Sequence, residues 1–443
     1  MKIQYLLYSV LLLSSSLVGA ESPSGIIDIY QKAVEKDAAI AAERAAAVAG
    51  QEAETQGLSQ LLPSINASAN ASYSYSKTTY DDAPTQDTSK KSDSSSINLQ
   101  LTQPLFRSAN FTAYSQSKIA GDLSDLQLSI AEQNLILRVA TAYFDILSAN
   151  ESFAVAQSQT RAFNENLERA KLTFKVGTAT KTDKLEAQAR YDLARASELS
   201  ALNQLAIAKQ SLTSIIGEEP KTLRSLNKDA LLLKVDPEDM QHWVDSAISN
   251  NLSLKSSKLG VKTAQLEIKK LKNDRLPVID FVANANLSRQ YATFANSDST
   301  NKGASVGLQL SLPLYTGGLM TSRIREAEAL RTQQKFNHTD IQRQIILQTQ
   351  QAYLTALNGF QQVEALKQAS ISSDSALQAT RKGMEVGVRT NLDLLNAQQQ
   401  FFETERDYTV AKYNYLLTIL NLKAAAGSLT KADLESLNAL LDK

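Results

Sequence analysis

The chain has 443 residues, with 46 Lys+Arg balanced by 46 Asp+Glu, no Cys, 2 His and 1 Trp. Zero net charge argues against a nucleic-acid partner, which calls for a basic excess. The missing cysteine rules out a disulfide framework, a thiol nucleophile, a thiolate metal site and a lipid-modified cysteine.

The length suggests two or three units at about 150 residues each. His242 and His338 lie in polar stretches with no partner at ligand spacing and read as surface histidines. No acid–base or nucleophile constellation stands out, so neither an enzyme nor a cofactor is expected. Only 8 Pro and 16 Gly in such a chain point to long helices.

Met1-Lys2, the apolar run Ile3 to Leu13 and a Val18-Gly19-Ala20 ending have the form of an export signal cleaved after Ala20. The mature chain would carry a net charge of −1. No later stretch approaches 18 uninterrupted apolar residues, so the exported protein is either soluble or crosses a membrane as strands.

From Asp28 to about Gln60 the Ala- and Glu-rich pattern predicts one helix, ended by Pro63. The apolar period then switches from 3.6 to 2. Ile65, Ala67, Ala69, Ala71, Tyr73 and Tyr75 alternate with Asn and Ser, and after a polar loop Ile97, Leu99 and Leu101 resume the alternation. These are strands at about 64–76 and 95–106, a hairpin. Leu105 to Val176 contains no Pro and one Gly, which predicts a rod of roughly 100 Å at 1.5 Å per residue. A Val176-Gly177 turn breaks it, and Thr182 to Ile216 returns. Glu218 to Asp239, with Pro220 and Pro237, links this unit to the next.

The second unit repeats the first. Ile279, Phe281, Ala283, Ala285 and Leu287, then Val306, Leu308, Leu310 and Leu312, mark strands at about 278–291 and 304–315. A second rod runs from Leu319 to Val386, and Asn391 to Ala426 returns. Val176 to Gln188 and Val386 to Gln398 share seven of thirteen residues at an offset of 210. Leu62-Pro63 and Leu276-Pro277, and Leu101–Phe106 and Leu310–Tyr315, align in the same order. The expected organisation is a signal at 1–20, repeats at 21–217 and 241–427, a linker at 218–240 and a short C-terminal helix within 428–443. Neither repeat is expected to have a globular core of its own.

Thr180–Asp183, Thr390–Asp393 and Thr430–Asp433 each place Thr three residues before a carboxylate at a helix start, a capping-box signal with Asp for Glu. The strands are long enough for tilted membrane crossing, with one apolar face and one of Asn, Ser, Gln and Thr. A soluble hairpin packed on a helical bundle is the alternative. Four strands cannot close a barrel. Dimers would give 8 strands and trimers 12, and a water-lined interior favours the trimer without periodicity deciding it.

Over essentially all of the mature chain this pattern resembles the TolC family of outer-membrane efflux and type I secretion channels. The resemblance rests on the duplicated helix–strand–strand–helix–helix order, on Leu101–Phe106 and Leu310–Tyr315, and on the two Val-Gly tips with their Thr and Asp. It implies a mainly α fold with a β-barrel part: a homotrimer whose 12-stranded outer-membrane barrel, four strands per protomer, continues as a helical tunnel through the periplasm of a Gram-negative bacterium. It implies no catalysis. Partners would be a periplasmic adaptor and an inner-membrane transporter of resistance-nodulation-division, ATP-binding cassette or major facilitator type.

The family's carboxylate ring falls on Asp393, while its second ring falls on Asn396, a departure. Its gate links fall on Thr182, Asp183 and Arg389, with Met384 where a tyrosine partner would stand. Val176, Gly177, Thr178, Val386, Gly387 and Val388 match the adaptor-docking tips. A soluble periplasmic helical-hairpin adaptor or structural protein is the competing reading. Tyr143, Phe144, Leu147, Tyr353 and Leu357 read as helix-packing residues.

Overall fold

The computed structural model describes residues 23–79, 88–227, 232–292 and 298–442. The export signal at 1–20 and parts of the two hairpin loops and of the linker lie outside the described residues.

The chain opens with α1 (Ile26–Lys36) and α2 (Ala38–Ser59), then β1 (Ser64–Thr78) and β2 (Thr88–Phe106). The long α3 (Ser108–Lys175) and α4 (Lys181–Ile216) follow. The order then recurs as α5 (Met240–Asn250), α6 (Leu252–Asn273), β3 (Val278–Ala292), β4 (Ser299–Ser311), α7 (Leu319–Glu385) and α8 (Asn391–Ala425). α9 (Lys431–Asn438) closes the described chain. None of the helices among the described residues is long and apolar enough to cross a membrane.

The expected single helix over 28–60 is two helices. Asp37 interrupts it in extended conformation (ψ 117°) and its carboxylate accepts from the Ile40 N–H at 2.9 Å, capping α2. α5 and α6 part in the same way at Asn251, whose side chain accepts from Ser253 and Leu254. No Pro or Gly marks either break. An N-cap side chain supplies the alternative hydrogen bond instead.

Asp37 is almost fully buried and also accepts from Arg138 Nη2 of α3 at 2.5 Å. Arg138 is 44% exposed and can rehydrate, whereas Asp37 at 2% cannot. Arg138→Leu, which leaves the carboxylate unpaired, is therefore expected to cost about 3 kcal/mol, the low end for a broken buried pair. Asp37→Asn, which keeps an acceptor oxygen, is expected to cost about 1 kcal/mol. Urea midpoints of the two variants check this order.

The four strands form one antiparallel sheet in the order β1-β2-β3-β4. Strand order therefore follows chain order across the two repeats. Register puts the apolar rows on one face: Ile65 opposite Leu101, Leu101 opposite Ala283, and Ala283 opposite Val306. One step further, Ala67, Leu99, Ala285 and Ala304 align, and next Ala69, Ile97, Leu287 and Lys302.

The strands exceed the expected spans on the hairpin side, because pairing continues beyond the apolar band. Ser72 faces Ser94 and Tyr75 faces Lys91 there. β4 in turn ends at Ser311 rather than 315, since Pro313 offers no N–H. Pro104 is tolerated in β2, where the register shifts at a bulge. At the join between sheet and rods, Arg107 makes two bonds to the buried Asp280 carboxylate, at 2.8 and 2.6 Å.

The rods are not coreless. Around their middle, Ile26 and Ile29 of α1, Leu434 and Leu437 of α9, and Leu226 of the linker close over Leu135 to Leu147 of α3 and over Leu212, Tyr413 and Leu416. A second cluster joins Trp243 and Val235 to Tyr353, Tyr415 and Leu422. This belt corrects the expectation that the repeats lack a globular core. It is assembled from short segments at both ends of the chain and between the repeats, clasping both rods. Tyr143 and Phe144 are fully buried in it, Leu147 and Tyr353 nearly so, and Leu357 packs at its edge. Above the belt α2 packs on α3, and α6 on both α3 and α7. Below it α3 pairs with α4, and α7 with α8.

Candidate functional site at the helical tips

Each rod ends in the same turn. The Gly177 N–H donates to Phe174 O at 3.1 Å and the Thr178 N–H to Thr173 O at 2.9 Å. In the second repeat Gly387 donates to Met384 O at 3.1 Å and Val388 to Gly383 O at 2.9 Å. This is the Schellman pattern, which needs a left-handed residue, here Gly177 (φ 81°) and Gly387 (φ 78°). Val176, Val386 and Val388 project into solvent at 73–75% exposure. Each tip is thus a rigid backbone turn carrying unsupported apolar side chains.

Both returning helices start with capping boxes. The Thr180 hydroxyl accepts from the Asp183 N–H at 3.1 Å, and the Asp183 carboxylate accepts from the Thr180 N–H at 2.8 Å. Thr390 and Asp393 repeat this at 3.1 and 2.9 Å. The backbone N–H and hydroxyl of Thr180 hold the Asp183 carboxyl below its ordinary range. Those of Thr390, helped by the Arg389 charge, do the same for Asp393. Both carboxylates are therefore ionised at neutral pH.

Within one chain Asp183 and Arg389 form no hydrogen bond or ion pair among the described residues. The Asp183 carboxylate is engaged in its own cap, and Arg389 packs its stem against Gly383. Thr182 and Arg389 are exposed, and Met384 is half-buried. Asn396 lies one turn beyond Asp393 on α8 and is exposed. Its side-chain oxygen accepts from Arg190 Nη2 of α4 at 2.8 Å.

Sequence reasoning missed the contacts that join the two hairpins just above the tips. Phe163 of α3, Ala194 of α4 and Leu395 of α8 form one buried cluster, flanked by Tyr191. Beside it, Asn166 of α3 donates to Gln398 of α8, both nearly fully buried. A signal was present for Asn166: it stands in the stripe Phe163, Leu167, Ala170, where a polar residue needs a buried partner. The histidines differ from each other. His242 is exposed, edge-on to Trp243, but His338 is half-buried with its Nδ1 2.8 Å from Ser257 Oγ, which corrects its reading as a surface residue.

The chain as a whole is similar to known proteins. The family described as outer membrane efflux protein matches residues 29–218 and 243–428. The chain is 31% identical over 446 residues to the outer membrane protein TolC of Escherichia coli K12, covering 97% of this chain and 87% of that one. It is 31% identical over 418 residues to the alkaline protease secretion protein AprF of Pseudomonas aeruginosa, covering 93% and 86%. In fold it is similar to the Campylobacter jejuni CmeC outer membrane channel, with a TM-score of 0.76 at 15% identity over 100% of this chain and 98% of that one. A duplicated rod-and-sheet architecture, with family similarity running through both halves, leads to one assignment: the chain belongs to the outer membrane efflux protein family, and is an outer-membrane channel protein of the efflux and type I secretion class.

Proposed function

We propose that three copies of the chain close their sheets into one 12-stranded barrel, and that their rods form a tunnel sealed at the Val-Gly tips. The observation that carries this reading is the open sheet. β1 and β4 each have one unpaired edge, and unpaired strand edges are not tolerated in lipid. Closure against further copies satisfies them, and a ring wider than 8 strands leaves a water-filled lumen lined by Asn, Ser, Gln and Thr. Residues 21–217 and 241–427 act as the two repeats, so three copies give a tunnel of six helical hairpins.

The duct itself performs no catalysis. It takes cargo from an inner-membrane transporter of resistance-nodulation-division, ATP-binding cassette or major facilitator type, through a periplasmic adaptor. The relatives named for alkaline protease secretion and for proteases secretion support a protein-export role beside efflux. The exposed apolar tips, Val176-Gly177-Thr178 and Val386-Gly387-Val388, suit adaptor docking. Asp393 repeats around the three-fold axis as the constriction ring. Asp183 and Arg389, which do not bond to each other among the described residues of one chain, pair between neighbouring protomers as the gate link, a charge-assisted bond.

Single-channel recording in planar bilayers tests the assembly. Asp393→Ala is expected to weaken block by multivalent cations, and an unchanged block would remove Asp393 from the constriction. Breaking the Asp183–Arg389 link with Arg389→Ser is expected to raise conductance severalfold, and an unaltered conductance would place the gate elsewhere.

A further inference from the structure

The tier above Asp393 is occupied by an arginine. Asn396 follows Asp393 by three residues, about 4.5 Å further along α8 and close to the same face. Its oxygen is taken by Arg190 from the other hairpin, at 2.8 Å. Among the described residues Arg190 has no carboxylate partner. The amide orients the guanidinium but does not neutralise it, because Asn carries no charge.

Asp393 meanwhile stays ionised, its carboxyl held below the ordinary range chiefly by the Thr390 backbone N–H and hydroxyl, with a smaller contribution from the Arg389 charge. The entrance therefore presents one carboxylate tier and, directly beyond it, one guanidinium tier. Arg190 is half-exposed and Asn396 exposed, so the charge is held at the surface of the helix pair rather than buried in it.

We propose that Arg190 is a charge-selectivity residue of the entrance. Held by Asn396, it converts what would be a second anionic ring into a cationic one. The channel then admits anionic solutes more readily and holds multivalent cations more weakly than the Asp393 ring alone would. This rests on the reading that the start of α8 lines the constriction. Physically, a fixed unit charge at hydrogen-bonding range from the permeating path raises the local concentration of counter-ions and lowers that of co-ions. Three such charges around an axis act on a single ion, so replacing Arg190 changes the entrance by three charges.

The test uses the full-length channel in planar bilayers. Two quantities are read: the reversal potential in a KCl gradient, and the half-blocking concentration of hexaamminecobalt(III) added from the tip side. Arg190→Gln is expected to shift the reversal potential toward cation preference and to lower the half-blocking concentration by about tenfold. Arg190→Lys, which keeps the charge, is expected to stay close to the parent. Asn396→Asp alone should approach Arg190→Gln, because the new carboxylate pairs with Arg190 and cancels its charge, whereas Arg190→Gln with Asn396→Asp should block most tightly.

If Arg190→Gln matches the parent while Asp393→Asn alters both readouts, the constriction stands and Arg190 has no part in selectivity. An Arg190→Lys channel that behaves like Arg190→Gln would make the hydrogen bond, not the charge, responsible, and would overturn the proposal. If neither Arg190→Gln nor Asp393→Asn has any effect, α8 does not line the constriction, and the proposal falls with that reading.

Discussion

Gly427→Ala is expected to abolish accumulation of folded protein, whereas Gly217→Ala is expected to leave it assembled. The two glycines are equivalents in the repeat, and both are left-handed, φ 70° and 71°. Each would suffer the backbone cost of an L side chain there, about 1–2 kcal/mol. They differ in what surrounds them. A Cβ on Gly217 would meet nothing nearer than Lys36 Cβ at 3.9 Å. A Cβ on Gly427 would lie 2.6 Å from both Asn250 C and Asn251 N and 2.8 Å from Asn250 O.

That close approach has a cause. Gly427 ends α8 in a Schellman turn, and the carbonyls just before it, Ala425 and Ala426, are satisfied by the Asn251 amide at 3.1 Å and the Ser246 hydroxyl at 3.3 Å. The α5–α6 break is thereby pulled against the α8 terminus, backbone to backbone, and neither chain can retreat without losing those bonds. With the clash added, the cost at Gly427 should exceed about 4 kcal/mol, the range reserved for a named structural failure. Asparagine, which tolerates the left-handed region, separates the two effects: Gly217→Asn should be nearly neutral and Gly427→Asn still severe. Yield of membrane-inserted protein and urea midpoints are the readouts. Equal losses at both positions would mean that the left-handed backbone alone sets the cost.

Elements set by local chemistry were legible in the sequence. The period-2 rows mark the strands, the Pro-poor stretches mark α3 and α7, and Val-Gly followed by Thr and Asp marks the tips, whose turns and capping boxes form as expected. What stayed hidden is non-local. The belt needs Leu434 and Leu437 to reach Ile26 across the whole chain, and no period announces that. Arg190 and Asn396 stand 206 residues apart. The break at Asp37 was obscured because alanines on its C-terminal side favour helix, while a single buried capping carboxylate, paired with the half-exposed Arg138, overrides them. At the tips, sequence named the Thr caps of Asp183 and Asp393, which form as read, but not the bond between the hairpins that Asn396 makes with Arg190.

Leu101→Arg is expected to prevent insertion of the channel, and Gln100→Arg, one residue away, to be tolerated. Leu101 lies in the middle of the apolar band. Ile65 and Ala283 flank it on the neighbouring strands, and Val306 completes its row. Two steps toward the rods the row on β3 and β4 ends at Ile279 and Leu310. Two steps toward the hairpins it ends at Leu287, Ile97 and Lys302, beyond which Arg289, Ser95 and Thr300 take over. This band of about nine residues, tilted, matches the roughly 25 Å apolar belt of an outer-membrane barrel, and Tyr73, Tyr75 and Tyr291 stand past its hairpin end, where an aromatic girdle belongs. Arginine at the bilayer midplane costs about 2–4 kcal/mol in such a barrel, and the proposed trimer would carry it three times, about 6–12 kcal/mol in all. Gln100 faces Asn66 and Asn284 on the opposite, polar face, where a charge remains in water. Outer-membrane fractionation followed by semi-native electrophoresis should therefore show a trimer for Gln100→Arg and none for Leu101→Arg. The reverse result would turn the sheet inside out, and normal insertion of both would show that the band does not face lipid.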